Sequence, residues 1–193
     1  GFLNFTLSKD RFSTVISEVL AQKENYGQQP ANGIKVDLEY VSANPTGSLH
    51  LGHARGAAWG DSCARIMKKA GYDVTREYYV NDAGNQITNL ALSLNARYRQ
   101  AQGIPTEIGQ DGYMGKDVEE KGYELAKEYP QTYLEPTEEN LKFFRKEGIK
   151  FELDKIRKDL DRYRVHFDVW SSEQSIRDAG KVEAAINELN EKG

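Results

Sequence analysis

From Ile34 to Val41 apolar and polar positions alternate. Ile34, Val36, Leu38 and Tyr40 fall on one side, and Lys35, Asp37 and Glu39 on the other, which predicts a strand. Past Asn44-Pro45-Thr46-Gly47-Ser48 the period changes: Ala54, Ala57, Gly60, Ala64 and Met67 share one helical face until Gly71 ends it. A stripe of such small residues lets a helix lie close to a sheet. Val74 to Val80 is rich in β-branched and aromatic residues and predicts a second strand. Asn81-Asp82-Ala83-Gly84 then opens another helix, with Ile87, Leu90, Leu94 and Tyr98 on its apolar face. Strand, helix, strand and helix over residues 34–101 form a βαβ unit of a parallel sheet, so the fold class is α/β.

The flanks read differently. Residues 1–33 hold Phe2, Leu3, Phe5 and Leu7, a helix with Phe12, Val15, Ile16, Val19 and Leu20, and the linker Gly27 to Gly33; they read as a junction with a preceding domain. Residues 102–165 read as a mainly helical insertion. Its first part is rich in Gly and Pro with one helix over Val118 to Tyr129, and a longer amphipathic pattern from Glu138 to Tyr163 is broken near Gly148. Residues 166–193 return to the sheet, with a third strand at Phe167 to Trp170 and a helix carrying Val182, Ala185, Ile186 and Leu189. Central parallel strands are apolar on both faces, which Asp37 and Glu39 contradict. Glu39, near the strand's carboxyl end, reads as a site residue, while Asp37 has no assigned place.

Composition narrows the chemistry. With 38% hydrophobic residues, 11 Tyr and 7 Phe among 193 residues, the chain folds rather than staying disordered. Its 26 basic and 30 acidic residues leave a net charge of −4, which disfavours a nucleic-acid reader working by bulk positive charge. The single cysteine, Cys63, excludes an internal disulfide scaffold and fits a reducing compartment, so the cytoplasm is expected. No apolar run approaches the roughly 18 residues of a membrane span. A first residue of Gly1 rather than Met, and an end at Gly193 just after a helical pattern, read as a piece of something longer.

The segment Ser42 to His53 carries the chemistry. It joins a strand's carboxyl end to the next helix, where open parallel sheets place their ligands. Free backbone N–H groups and the helix dipole make such a terminus an anion site. Gly47 and Gly52 let a phosphate or a purine approach the backbone. His50 and His53, three apart in the first turn, share a face from which they can donate hydrogen bonds to phosphate oxygens. The helix terminus disfavours imidazolium and a bound polyphosphate favours it, so sequence leaves their charge open. A metal site is not expected: no carboxylate follows the first histidine as in His-Glu-x-x-His, Cys63 lies about three turns away, and His166 is the other histidine.

His50-Leu51-Gly52-His53 after a strand resembles the His-Ile-Gly-His signature of class I aminoacyl-tRNA synthetases. The flanks Glu39-Tyr-Val-Ser-Ala-Asn-Pro-Thr-Gly47, His53-Ala-Arg-Gly-Ala57 and Arg76-Glu-Tyr-Tyr-Val-Asn-Asp-Ala-Gly-Asn-Gln86 resemble the bacterial arginyl members of that class. The similarity is strong over residues 34–100 and extends to 167–193. The resemblance implies the first half of a Rossmann-like nucleotide-binding domain. It also implies a two-step ligase, in which arginine attacks the α-phosphate of ATP and the arginyl group then moves to tRNA, with Mg²⁺ accompanying the ATP. Carried over by position, His50 and His53 are catalytic. Pro45, Thr46, Gly47, His50, Gly52 and His53 face ATP, and Glu39, Ser42, Asn44 and His53 face arginine. A carboxylate at a strand end suits a cationic substrate.

Asn81, Asp82 and Gln86 on the second loop are possible ligands, with helix capping an equal reading for the first two. Tyr78 and Tyr79 read as core or rim aromatics. The bases of the 138–164 helix interleave with acids as a solvated mixed-charge face. No Lys-Met-Ser-Lys-Ser loop is present: Met67-Lys-Lys69 and Met114-Gly-Lys116 do not match it, and the lysine that some relatives place three residues before the first histidine is Gly47 here. The isolated piece is therefore expected to be inactive. Two other readings stay open. A nucleotidyltransferase using the same histidines on a small metabolite would turn over nucleotide without regard to arginine or tRNA. A non-catalytic RNA- or partner-binding module would make no ATP contact.

Overall fold

The computed structural model describes residues 1–193. Its sheet has three parallel strands in the order β1 (Lys35–Glu39), β2 (Asp73–Val80) and β3 (Val169–Ser172). Helix α2 (Leu51–Lys69) connects β1 to β2 and lies on one face of the sheet, with Ala57, Gly60 and Ala64 buried as the small-residue stripe requires. At Gly60 the approach is so close that a Cβ would fall on the ring of Tyr40. The linker is not loose. Gln29 N–H donates to the Lys69 carbonyl at 2.9 Å and Asn32 N–H to the Gly71 carbonyl at 3.0 Å, so it is laid against the end of α2. Gly71 itself has φ +91° and no room for a Cβ beside the Pro30 carbonyl.

The third strand starts two residues later than the aromatic run suggests, because Phe167 and Asp168 are used for packing and pairing. Phe167 packs its ring on Tyr40 (4.5 Å between centroids) and Tyr78 (5.3 Å). Asp168 grips Arg76 of β2 in a fork, with Oδ2 to Nε at 2.9 Å and Oδ1 to Nη2 at 2.8 Å, and Oδ2 also accepts the Arg76 backbone N–H. This guanidinium holds the Asp168 carboxyl well below the usual carboxylate range. A depressed folded-state pKa means that the pair's contribution is complete above the unfolded value of about 3.9 and is lost as pH falls from there through the folded value. Asp168→Asn therefore lowers stability by about 1 kcal/mol at neutral pH, a figure already discounted for a partly solvated side chain. Denaturant midpoints should show a constant gap from wild type between about pH 7 and 5, closing below about pH 4.

Three helices form a second layer of their own: α3 (Asn85–Ala101), α4 (Lys116–Glu128) and α5 (Glu138–Arg162). The apolar face of α3 does not cover the sheet. Leu90, Leu94 and Tyr98 pack with Val118, Leu125 and Phe144 in a core among these helices. Nor does α5 break at Gly148. A Cβ there would come within 2.8 Å of Leu94 Cδ1, so the glycine lets α3 and α5 touch and the helix runs on. Further along α5, Ile156 and Leu160 join Ala57, Tyr78 and Val80 in the core beneath the sheet. One helix thus belongs to both cores. Between them sits Glu152, fully buried, paired to Lys155 at 2.9 Å, its pKa raised by burial against the pull of that lysine.

The remaining helices are α1 (Lys9–Gln22), none of whose residues is buried, and α6 (Glu173–Asp178) and α7 (Lys181–Lys192) after β3. No helix is long and apolar enough to cross a membrane.

Candidate nucleotide and amino-acid site

The chain leaves β1 through two left-handed residues, Val41 (φ 68°) and Ser42 (φ 39°). For a β-branched residue this conformation is a real outlier, and such strain persists only where neighbours enforce it. Here β2 does so. The Tyr79 backbone N–H donates to Ser42 Oγ at 3.0 Å, and the buried Tyr78 hydroxyl donates to the Ala43 carbonyl at 2.8 Å. Burial pushes the Tyr78 phenol up to about 12, so it stays a donor. Pro45 is buried beneath the loop, where it shapes the turn instead of presenting its ring to solvent. Thr46 is half-buried, and a Cβ at Gly47 would meet nothing within 4 Å, so the backbone there borders open space.

Helix α2 begins with the two histidines capping each other. His50 Nδ1 accepts the Gly52 N–H at 3.1 Å, and His53 Nδ1 accepts the His50 N–H at 3.2 Å. The rings stack with centroids 3.8 Å apart and an interplanar angle of 24°. Gly52 has a reason that the sequence did not disclose: a Cβ there would come 2.9 Å from Cε1 of the His50 ring. With each Nδ1 accepting a backbone N–H, the neutral proton sits on Nε2, and both Nε2–H groups are left to donate outward. Burial, then the neighbouring His50, lowers the His53 pKa, which favours that neutral donor. Beside the pair opens a cleft of about 470 Å³ between α2 and the last turns of α5, lined by Leu49, Leu51, Ala54, Leu160 and Tyr163.

On the other face of the sheet Glu39 stands in register with Glu77 of β2. Asp37 finds its place here: hydrogen bonding to Glu77, some desolvation, and the charges of Glu77 and Glu39 raise its pKa. The strand's polar side is thus a small field of carboxylates at the sheet's carboxyl half, suited to a cation.

The second loop does not cap its helix. Gly84 stands at the start of α3 with no side-chain cap. Asn81 Nδ2 donates to Asn44 Oδ1 at 3.1 Å, and Asn44 Nδ2 donates to Gln86 Oε1 at 2.7 Å. Asp82 accepts from Ser172 Oγ at 2.6 Å and from the Gln174 N–H at 2.8 Å, tying this loop to the exit of β3. Three strand-to-helix loops are therefore pinned together at one rim. Sequence reading missed Ser172 and Gln174; the only local signal is that Ser172 also caps α6 by accepting the Ser175 N–H.

Comparison with known proteins shows the family. The family model described as tRNA synthetases class I (R), catalytic domain, matches residues 15–193. Arginine–tRNA ligases of Bacillus pumilus and Bacillus subtilis are 53% and 52% identical over 195 aligned residues, covering all of this chain and 35% of each relative. A crystal structure from Campylobacter jejuni assigned as arginyl-tRNA synthetase superposes with a TM-score of 0.83 at 32% identity, covering 96% of this chain and 40% of that one. The chain spans about a third of the length of the curated relatives it matches. With the paired histidines at the first strand-to-helix turn and the α/β sheet that carries them, the chain belongs to the arginyl family of class I tRNA synthetase catalytic domains.

Proposed function

We propose that the full-length protein containing this chain is an arginine–tRNA ligase. The carboxylate of arginine attacks the α-phosphate of ATP, giving arginyl-adenylate and pyrophosphate, and the arginyl group then passes to the 3′ end of tRNA. The observation that carries this reading is the mutual capping of His50 and His53, which leaves two Nε2–H donors side by side at a helix N-terminus. Donors fixed before the reaction stabilise charge that develops on the phosphates without reorganising, the usual largest source of such catalysis. Thr46, Gly47 and Gly52 border the same turn and give the phosphates backbone to lie against. Mg²⁺ enters with ATP as part of that substrate.

Glu39, Ser42 and Asn44 form the arginine side. The carboxylate field around Glu39 suits the cationic substrate, and Asn44 offers both a donor and an acceptor. A cytoplasmic setting, where ATP and tRNA are held, completes the reading. The test is ATP–pyrophosphate exchange by the full-length protein with tRNA present. Exchange is expected with arginine and not with lysine. Exchange indifferent to amino acid and tRNA would point to a nucleotidyltransferase, and no ATP contact to a non-catalytic module.

A further inference from the structure

Three amides meet between the first and second loops, in a chain that runs one way: Asn81 Nδ2 to Asn44 Oδ1 at 3.1 Å, then Asn44 Nδ2 to Gln86 Oε1 at 2.7 Å. Resting on the ligase reading above, we infer that Asn81 and Gln86 are positioning residues that fix the direction of the Asn44 amide and through it the recognition of the amino-acid head of the substrate.

An asparagine amide is nearly symmetric in shape, and its terminal torsion is broad and two-fold, so shape alone does not decide which end is oxygen. Here the neighbours couple the choice, so that Asn44 turns only if Asn81 and Gln86 turn with it. Turning Asn44 by itself would set its oxygen against Gln86 Oε1 and its nitrogen against Asn81 Nδ2. Asn44 and Gln86 are exposed and Asn81 is half-buried, so water could satisfy all three separately and the chain adds little to folding. What it supplies is order. The second N–H and the second lone pair of Asn44 remain for a ligand in a fixed arrangement, which matches a substrate presenting a carboxylate acceptor and an ammonium donor together.

The inference separates two substitutions that look alike. Gln86→Glu keeps an acceptor where Asn44 Nδ2 needs one. Asn81→Asp replaces the donor to Asn44 Oδ1 with an acceptor and forces the chain to reverse. Each places a carboxylate beside the same amide, so the effect of charge on a cationic substrate is common to both, and the difference between them reports direction.

In the full-length protein, ATP–pyrophosphate exchange with tRNA present should show Gln86→Ala raising the arginine KM about tenfold with the ATP KM unmoved. Asn44→Ala combined with Gln86→Ala should cost no more than Asn44→Ala alone, because one residue acts through the other. Whatever the common effect of the added charge, Asn81→Asp should lose about tenfold more than Gln86→Glu. Additive losses in the double variant, or equal behaviour of the two acidic variants, overturn the inference while leaving the ligase reading in place. A wild type without arginine-dependent exchange overturns the ligase reading, and the inference with it.

Discussion

If the full-length protein is the proposed ligase, replacing His50 with alanine should lower its arginine-dependent pyrophosphate exchange about 10²–10³-fold, the scale of losing one donor aimed at developing charge. The substitution removes two things at once: the outward Nε2–H and the Nδ1 that accepts the Gly52 N–H. The second is a helix cap, worth about 1 kcal/mol of stability. His50→Asn separates them, since asparagine caps well but places no donor where the imidazole Nε2 stands. It should recover the thermal stability of wild type and little of the activity. The backbone N–H of residue 50 still meets His53 Nδ1 in both variants, so the start of α2 is retained. Near-normal turnover in His50→Ala would remove this imidazole from the mechanism.

Gly60→Val has the largest expected effect on the fold. The new side chain would collide with Cβ, Cγ and Cδ2 of Tyr40, backbone-near atoms that cannot swing aside. Tyr40 is held from behind by Phe167, with ring centroids 4.5 Å apart, and its hydroxyl is buried enough that desolvation, with Asp61 nearby, pushes its pKa up to about 12. Helix α2 must therefore lift from the sheet, at a cost of about 3 kcal/mol. For a protein of this size that is about 6–12 °C in the midpoint of thermal unfolding. Gly56→Ala, one turn earlier on α2, is the control: its Cβ meets nothing within 4 Å, so relief of glycine's entropy should leave the midpoint equal or slightly higher. If Gly60→Val melts with wild type, helix and sheet do not meet as described.

Much of this was legible because periodicity reports burial directly. The alternation at Ile34 to Val41 and the small-residue stripe of α2 place a strand and a close-packed helix without further help. Periodicity does not say against what a face is buried. Leu90, Leu94 and Tyr98 mark α3 as amphipathic, yet their partners on α4 and α5 are specified only by the tertiary fold. Gly148 shows the same limit, since a glycine that weakens an isolated helix is here the point at which two helices touch.

At the site, the His50–His53 spacing announces a shared face, and the signature around it announces the family. The rest depends on partners distant in sequence. Asn81 and Asp82 carry the composition of helix caps, but their partners lie 37 residues back at Asn44 and 90 residues ahead at Ser172. The left-handed turn at Val41 and Ser42 has no local signal, because no glycine or asparagine occupies it; the hydrogen bonds from Tyr78 and Tyr79 impose it.

Helix α5 acts as a tie beam. Its 25 residues make a rod of about 37 Å, anchored at one end against α3 and α4 and at the other in the wall of the cleft beside the histidines. A rod of that length pivoting by about 3° carries its far end through about 2 Å, enough to open or narrow a gap the width of an aromatic ring. A displacement imposed on the outer helices would therefore reach the wall of that cleft through the rod itself, by leverage.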